Sequence, residues 1–169
     1  MRRADLSGLV DYLLEKTDAG YTIVTHNGLG FDLNVLAEES GRLEDCKKLA
    51  LSHVDIMFHF FCGKGFAVGL NAAAKAIGLS KPPDVDGSSA PKLWRDDSHR
   101  RVLDYVAQDC SITLEVARTS EKNRSFQWVT GRGSVSNFDI PDDWLPVIDA
   151  MSLPLPDTSW MNGPWPRSK

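Results

Sequence analysis

The chain has 169 residues, 42% of them hydrophobic and 25% charged, enough for one domain with a real core. Its formal charge of −4 leaves no global positive field. That weakens the case for a bulk electrostatic binder of nucleic acid, though not for an enzyme that grips a short strand locally. Three cysteines, Cys46, Cys62 and Cys110, stand far apart with no CxxC pair. They read as buried free thiols of a reducing compartment and not as a zinc site. The start, MRRADLSGLV, has helix-spaced apolar positions, and no window is long and apolar enough to cross a bilayer. The expectation is a cytoplasmic protein with no membrane contact.

The first element is an amphipathic helix over ADLSGLVDYLLEKTDAG, with Leu6, Leu9, Val10, Leu13 and Leu14 on one face and Gly20 as terminator. YTIVTHN follows as a strand, its apolar run too unbroken for an edge and so buried on both faces. HNGLGFD, positions 26 to 32, is a glycine-bracketed turn that hands Asp32 to the next helix, FDLNVLAEESG. That helix sets Leu33, Leu36 and Ala37 on one face and ends at Gly41. HVDIMFHFFCG reads as a second apolar strand and LNAAAKAIGL as an Ala-rich helix closed by Gly78.

Pro and Gly make SKPPDVDGSSAP a loop, PKLWRDD forms one helical turn, and HRRVLDYVAQDCSITLEVARTSEKN is the longest helix. FQWVTGRGSVSNFDI is a hairpin around Gly-Arg-Gly. From Pro141 the chain is an extended Pro- and Trp-rich tail, docked through Trp144 and Trp160 and frayed at its end. Alternating helices and strands indicate an α/β layer fold with a parallel strand pair.

On the longest helix, Tyr105 and Asp109 stand one turn apart. The buried stripe there is best described by Val102/Leu103, Val106, Cys110, Leu114 and Ala117, with Tyr105 and Asp109 at its margin. A carboxylate at the border of a core must be paired or coordinating, because an isolated one is costly to desolvate.

HNGLGFD followed by YVAQD, in this order, resembles the second and third motifs of the DEDD superfamily of 3′–5′ exonucleases, with the ribonuclease H-like fold. The tyrosine resembles the DEDDy branch; a histidine branch member would carry His where this chain has Asp104. KPPDVDGSSAPKLWRDDSHRRVLDYVAQDCSIT is similar to predicted exonucleases related to the proofreading domains of family-B DNA polymerases. The resemblance spans roughly residues 4 to 118.

What it implies is metal-dependent hydrolysis of phosphodiester bonds at the 3′ end of single-stranded DNA or RNA. Two divalent ions about 4 Å apart activate the water and stabilise the leaving oxygen. Mg²⁺ or Mn²⁺ takes hard carboxylate oxygens. By the resemblance, Asp32 and Asp109 are metal ligands and catalytic, and Tyr105 holds the attacking water. Asn27, Gly28 and Phe31 contact the terminal nucleotide.

The family's first motif, Asp-x-Glu on the opening strand, does not occur before Ala4. The expected domain is therefore an N-terminally incomplete ribonuclease H-like exonuclease fold over 1–125, followed by a β-hairpin over 126–140 and the tail over 141–169. A misplaced start at Met1 would explain the gap. As it stands, the strand YTIVT would present a bare apolar edge that a second copy or another partner would cover. The alternative to an exonuclease is a degenerate, non-catalytic module that binds nucleic acid or a protein.

Overall fold

The computed structural model describes residues 5–80, 87–141 and 143–164. In chain order its first elements are α1 (Leu6–Asp18), β1 (Val24–Thr25), α2 (Asp32–Ser40), α3 (Leu43–Ser52), β2 (Val54–Asp55) and α4 (Ile56–Lys64). Then come α5 (Leu70–Ala76), α6 (Ala90–Arg95), α7 (His99–Asn123), β3 (Ser125–Val129), β4 (Val135–Asp139) and α8 (Val147–Ala150). Two compact units divide the chain: residues 1–68 with 143–169, and residues 69–142.

In the first unit β1 and β2 pair in parallel, with Val24 opposite Val54 and Thr25 opposite Asp55. A core of Val10, Leu33, Cys46 and Leu49 gathers α1, α2 and α3, with Leu13, Leu14, Leu36 and Ala37 packed against it. The faces expected of α1 and α2 are thus the faces buried. Gly41 ends α2 at φ 71°, the left-handed turn that a side chain would strain.

Both expected strands are far shorter than their apolar runs. β1 keeps only Val24 and Thr25, half-buried, and the chain then leaves the sheet at His26. The second run, HVDIMFHFFCG, is a strand only at Val54–Asp55 and then a helix, α4, that runs on to Lys64. The reason is local: Asp55 Oδ1 accepts the Phe58 N–H and caps α4. An apolar run buried on all sides has no periodicity to separate strand from helix. Ile56, His59, Phe60 and Cys62 are all buried.

The segment from Asp143 docks in this unit: Trp144, Val147 and Ala150 are buried. The Leu145 N–H donates to His59 Nδ1 at 3.1 Å, and the Val147 N–H donates to the His53 carbonyl at 2.9 Å. Trp160 stays largely exposed, edge-on to Phe66 at 5.9 Å. The expected fraying beyond residue 164 lies outside the described residues, as does half of the expected loop, at 81–86.

In the second unit α7 packs against β3, α5 and α6. β3 and β4 form the expected antiparallel hairpin, Phe126 opposite Phe138, closed by a turn in which the Gly133 N–H meets the Thr130 carbonyl. Gly78 follows α5 at φ 80°.

The buried stripe of α7 needs correcting. Val102 and Ala117 are buried as expected, but Leu103, Val106, Cys110 and Leu114 are exposed. The row that turns inward is Val102, Ile112, Thr113, Val116, Ala117 and Ser120. Two apolar rows run side by side on this helix, and the neighbours, not the pattern, choose between them. Cys110 is accordingly an exposed thiol, while Cys46 and Cys62 are buried; none of the three forms a disulfide.

Candidate functional site

The turn expected to carry the chemistry is held from below by one buried carboxylate. Asp55, 1% exposed, ends β2. Its Oδ1 accepts the Asn27 N–H at 2.9 Å and the Phe58 N–H at 3.1 Å, and its Oδ2 accepts the Leu29 N–H at 2.9 Å. A charge so deeply buried survives because three donors point at it. The same grip bends Asn27 to φ 75°, a conformation Asn tolerates better than most residues.

A second chain of bonds supports the turn from β1. The His53 Nδ1 lies 2.8 Å from the Ala50 carbonyl, which can only accept, so the ring proton sits there. Nε2 is then the acceptor for the Thr25 hydroxyl at 3.1 Å, and Thr25 Oγ1 accepts the Gly28 N–H at 3.2 Å. A Cβ on Gly28 would come within 2.5 Å of Thr25 Oγ1, and one on Gly30 would collide with Asn27 Oδ1. Gly28→Ala is therefore expected to lower stability by about 2 kcal/mol, read from the midpoint of urea unfolding.

Asp32 opens α2 on the far side of this turn. Its side chain reaches solvent, yet the protein around the carboxyl raises its pKa, desolvation first and the nearby charge of Asp55 in addition. Phe31 points outward, 62% exposed. His26 bonds the Val68 carbonyl through Nε2 at 2.8 Å, the structural role of a strand-end histidine.

In the second unit, Tyr105 and Asp109 are both half-buried. They lie in line with Val102, Ile112, Val116 and Ser120, at spacings of three and four residues, and so on the inward row and not at its margin. The Asp109 Oδ1 is shielded from solvent, and the Tyr105 hydroxyl faces Gly87. Asp104 points away and pairs with Arg100 at 3.0 Å.

The structure thus gathers Asn27, Gly28, Phe31 and Asp32 on one turn, and sets Tyr105 and Asp109 on one helix face. Two features of the turn escaped sequence reasoning. Asp55 is its anchor, signalled only by an acid just before an apolar run, and the aromatic residues of α4 flank it. Asp32 and Asp109 offer the hard oxygen donors that Mg²⁺ or Mn²⁺ takes. Among the described residues, however, no group of three or more His, Cys, Asp or Glu side chains is placed to hold a metal ion. These residues alone do not make a metal cage. Among the described residues no helix is long and apolar enough to cross a membrane.

A parallel strand pair flanked by helices, with a small antiparallel hairpin after the long helix, defines an α/β protein of ribonuclease H-like type. The RNase_H superfamily model matches residues 4–119, and the chain belongs to that superfamily. No curated protein and no solved structure matches the chain.

Proposed function

We propose that the protein is a 3′–5′ exonuclease of the DEDDy type, dependent on Mg²⁺ or Mn²⁺, acting on unpaired 3′ ends of DNA or RNA. The observation that supports this most is the inward placement of Tyr105 and Asp109 within the segment the superfamily matches. The same segment holds the locked turn that ends in Asp32.

On this reading Asp32 and Asp109 supply carboxylate oxygens to the divalent metal. When bound, the ions supply activation of water and neutralisation of charge on the leaving oxygen. A carboxyl whose pKa is raised by burial and by Asp55 is the kind a cation draws back into the ionised form. Tyr105 orients the attacking water through its hydroxyl; with an ordinary pKa of about 10 a phenol suits this better than proton abstraction. Asn27, Gly28 and Phe31 contact the terminal nucleotide. The exonuclease domain covers 1–125, the hairpin 126–140 and the tail 141–169, in a cytoplasmic protein.

The test follows 5′-labelled single strands incubated with the full chain in Mg²⁺ and Mn²⁺. Shortening from the 3′ end is expected, and Asp109→Ala is expected to reduce it to the blank. Full activity in Asp109→Ala refutes the site. Binding without turnover in both metals identifies a degenerate binding module instead.

A further inference from the structure

The longest helix, α7, carries two apolar rows, and only one of them is buried within its own unit. Leu103, Ala107, Cys110 and Leu114 follow one another at spacings of four, three and four residues, and all face solvent; Leu103 is 56% exposed and Leu114 42%. Val106, 49% exposed, widens the row on one side. That spacing is the seam of a coiled coil and not the scatter of single apolar residues that any surface shows. We propose that this face pairs with the same face of a second copy of the chain, the two α7 helices running antiparallel about a two-fold axis at Ser111. The pairing needs only residues of the second unit and no assumption about catalysis.

The charges flanking the seam select both the occupant and its direction. With Leu103 and Cys110 at one heptad position and Ala107 and Leu114 at the other, Asp104, Ser111 and Arg118 recur every seven residues along one flank. A two-fold axis perpendicular to antiparallel helices brings each flank against its own copy. Centred on Ser111, it sets Asp104 of each copy beside Arg118 of the other, at both ends of the contact. Asp104 lies seven residues before the axis and Arg118 seven after. Each is therefore about 10 Å from it along the helix, and the pairs match in register. Both groups are available. Arg118 is exposed and makes no ion pair among the described residues. Asp104 accepts the Arg100 Nε–H at 3.0 and 3.2 Å and keeps further lone pairs. Parallel helices would instead turn Arg118 toward Thr113 of the other copy, with no counter-charge.

Packing across the seam is complementary as well. About the same axis Leu114 of one copy falls between Ala107 and Cys110 of the other, large over small, and Ser111 meets Ser111. The small side chains of Ala107 and Ser111 let the two backbones approach. A contact of one helix on one helix lies at the small end of specific interfaces, so the dimer is expected to dissociate at micromolar concentration.

The experiment measures the mass of the full chain by sedimentation equilibrium across the micromolar range, where a rise from one copy to two is expected. Asp104→Arg and Arg118→Asp are each expected to weaken the dimer about tenfold, since each sets two like-charged pairs across the axis. The double variant, with the charges exchanged, is expected to restore it. Leu114→Asp changes an exposed position, leaves the helix content unchanged by circular dichroism, and is expected to abolish the dimer. A short bis-maleimide is expected to join two copies through Cys110, the exposed thiol, and to fail with Cys110→Ser. A single-copy mass at every concentration overturns the pairing. A dimer indifferent to Leu114→Asp overturns it too, because the contact then lies elsewhere. A dimer weakened by both charge variants and not regained in the double variant overturns the antiparallel arrangement.

Discussion

Asp55→Ala is expected to cost about 3 kcal/mol of folding stability, from the loss of one buried acceptor to three half-buried donors. The N–H groups of Asn27, Leu29 and Phe58 all point at this carboxylate, which is 1% exposed. Its loss leaves three N–H groups without their acceptor, and the turn and the start of α4 lose their common tie. The helix also loses its cap, since the Phe58 N–H is one of the orphan donors of the first turn of α4. Asp55→Asn keeps the shape and one acceptor oxygen, but turns its amide toward one of the donors; it is expected to fall about halfway between. Urea unfolding at neutral pH measures both. A wild-type midpoint and slope for Asp55→Ala would show that the turn does not depend on this carboxylate.

Acidification from neutral pH is expected to destabilise the fold through His59 by about 3 kcal/mol in total. The imidazole is 5% exposed, and burial lowers its pKa from 6.5 to about 4. The hydrogen bond agrees, because Nδ1 accepts the Leu145 N–H and a proton there would face a donor. Between the two pKa values the unfolded chain binds the proton and the folded one does not. Stability is therefore complete above about pH 6.5 and is lost as the pH falls toward about 4, after which the contribution levels off. Trp144, edge-on to this ring at 5.2 Å, gives a direct readout: its fluorescence should report loosening of the docked segment over that window. His59→Gln, which retains an acceptor but does not titrate, is expected to flatten the slope. An unchanged slope in that variant would place the titrating group elsewhere.

The proposed site was partly legible because some of its determinants are short-range. Glycine spacing in HNGLGFD marked a tight turn, and both glycines prove to sit where a Cβ would strike Thr25 or Asn27. The spacing of Tyr105 and Asp109 marked one helix face correctly, while the choice of the buried row went to the wrong neighbours. Leu103, Val106 and Leu114 look as apolar as Ile112 and Val116, and only the elements packed on α7 distinguish them. The extent of β2 was misread for a related reason. IMFHFF suits a strand or a buried helix equally, and the decision came from the hydrogen bond between Asp55 and Phe58.

What the sequence determined by itself was α1, α2, α5, α6 and α7, the ends at Gly41 and Gly78, and the hairpin; α3 over Leu43–Ser52 and α4 were not read from it. Propensity, periodicity and turn stereochemistry act within a few residues, so a linear pattern carries them. Only the tertiary structure decided where the buried charge goes, which face of the long helix turns inward and where the apolar runs change from strand to helix. Those outcomes depend on partners distant in sequence: Asp55 must reach Asn27 and Leu29 across 26 to 28 residues. The free energy of a buried carboxylate is set by whichever donors the fold places around it.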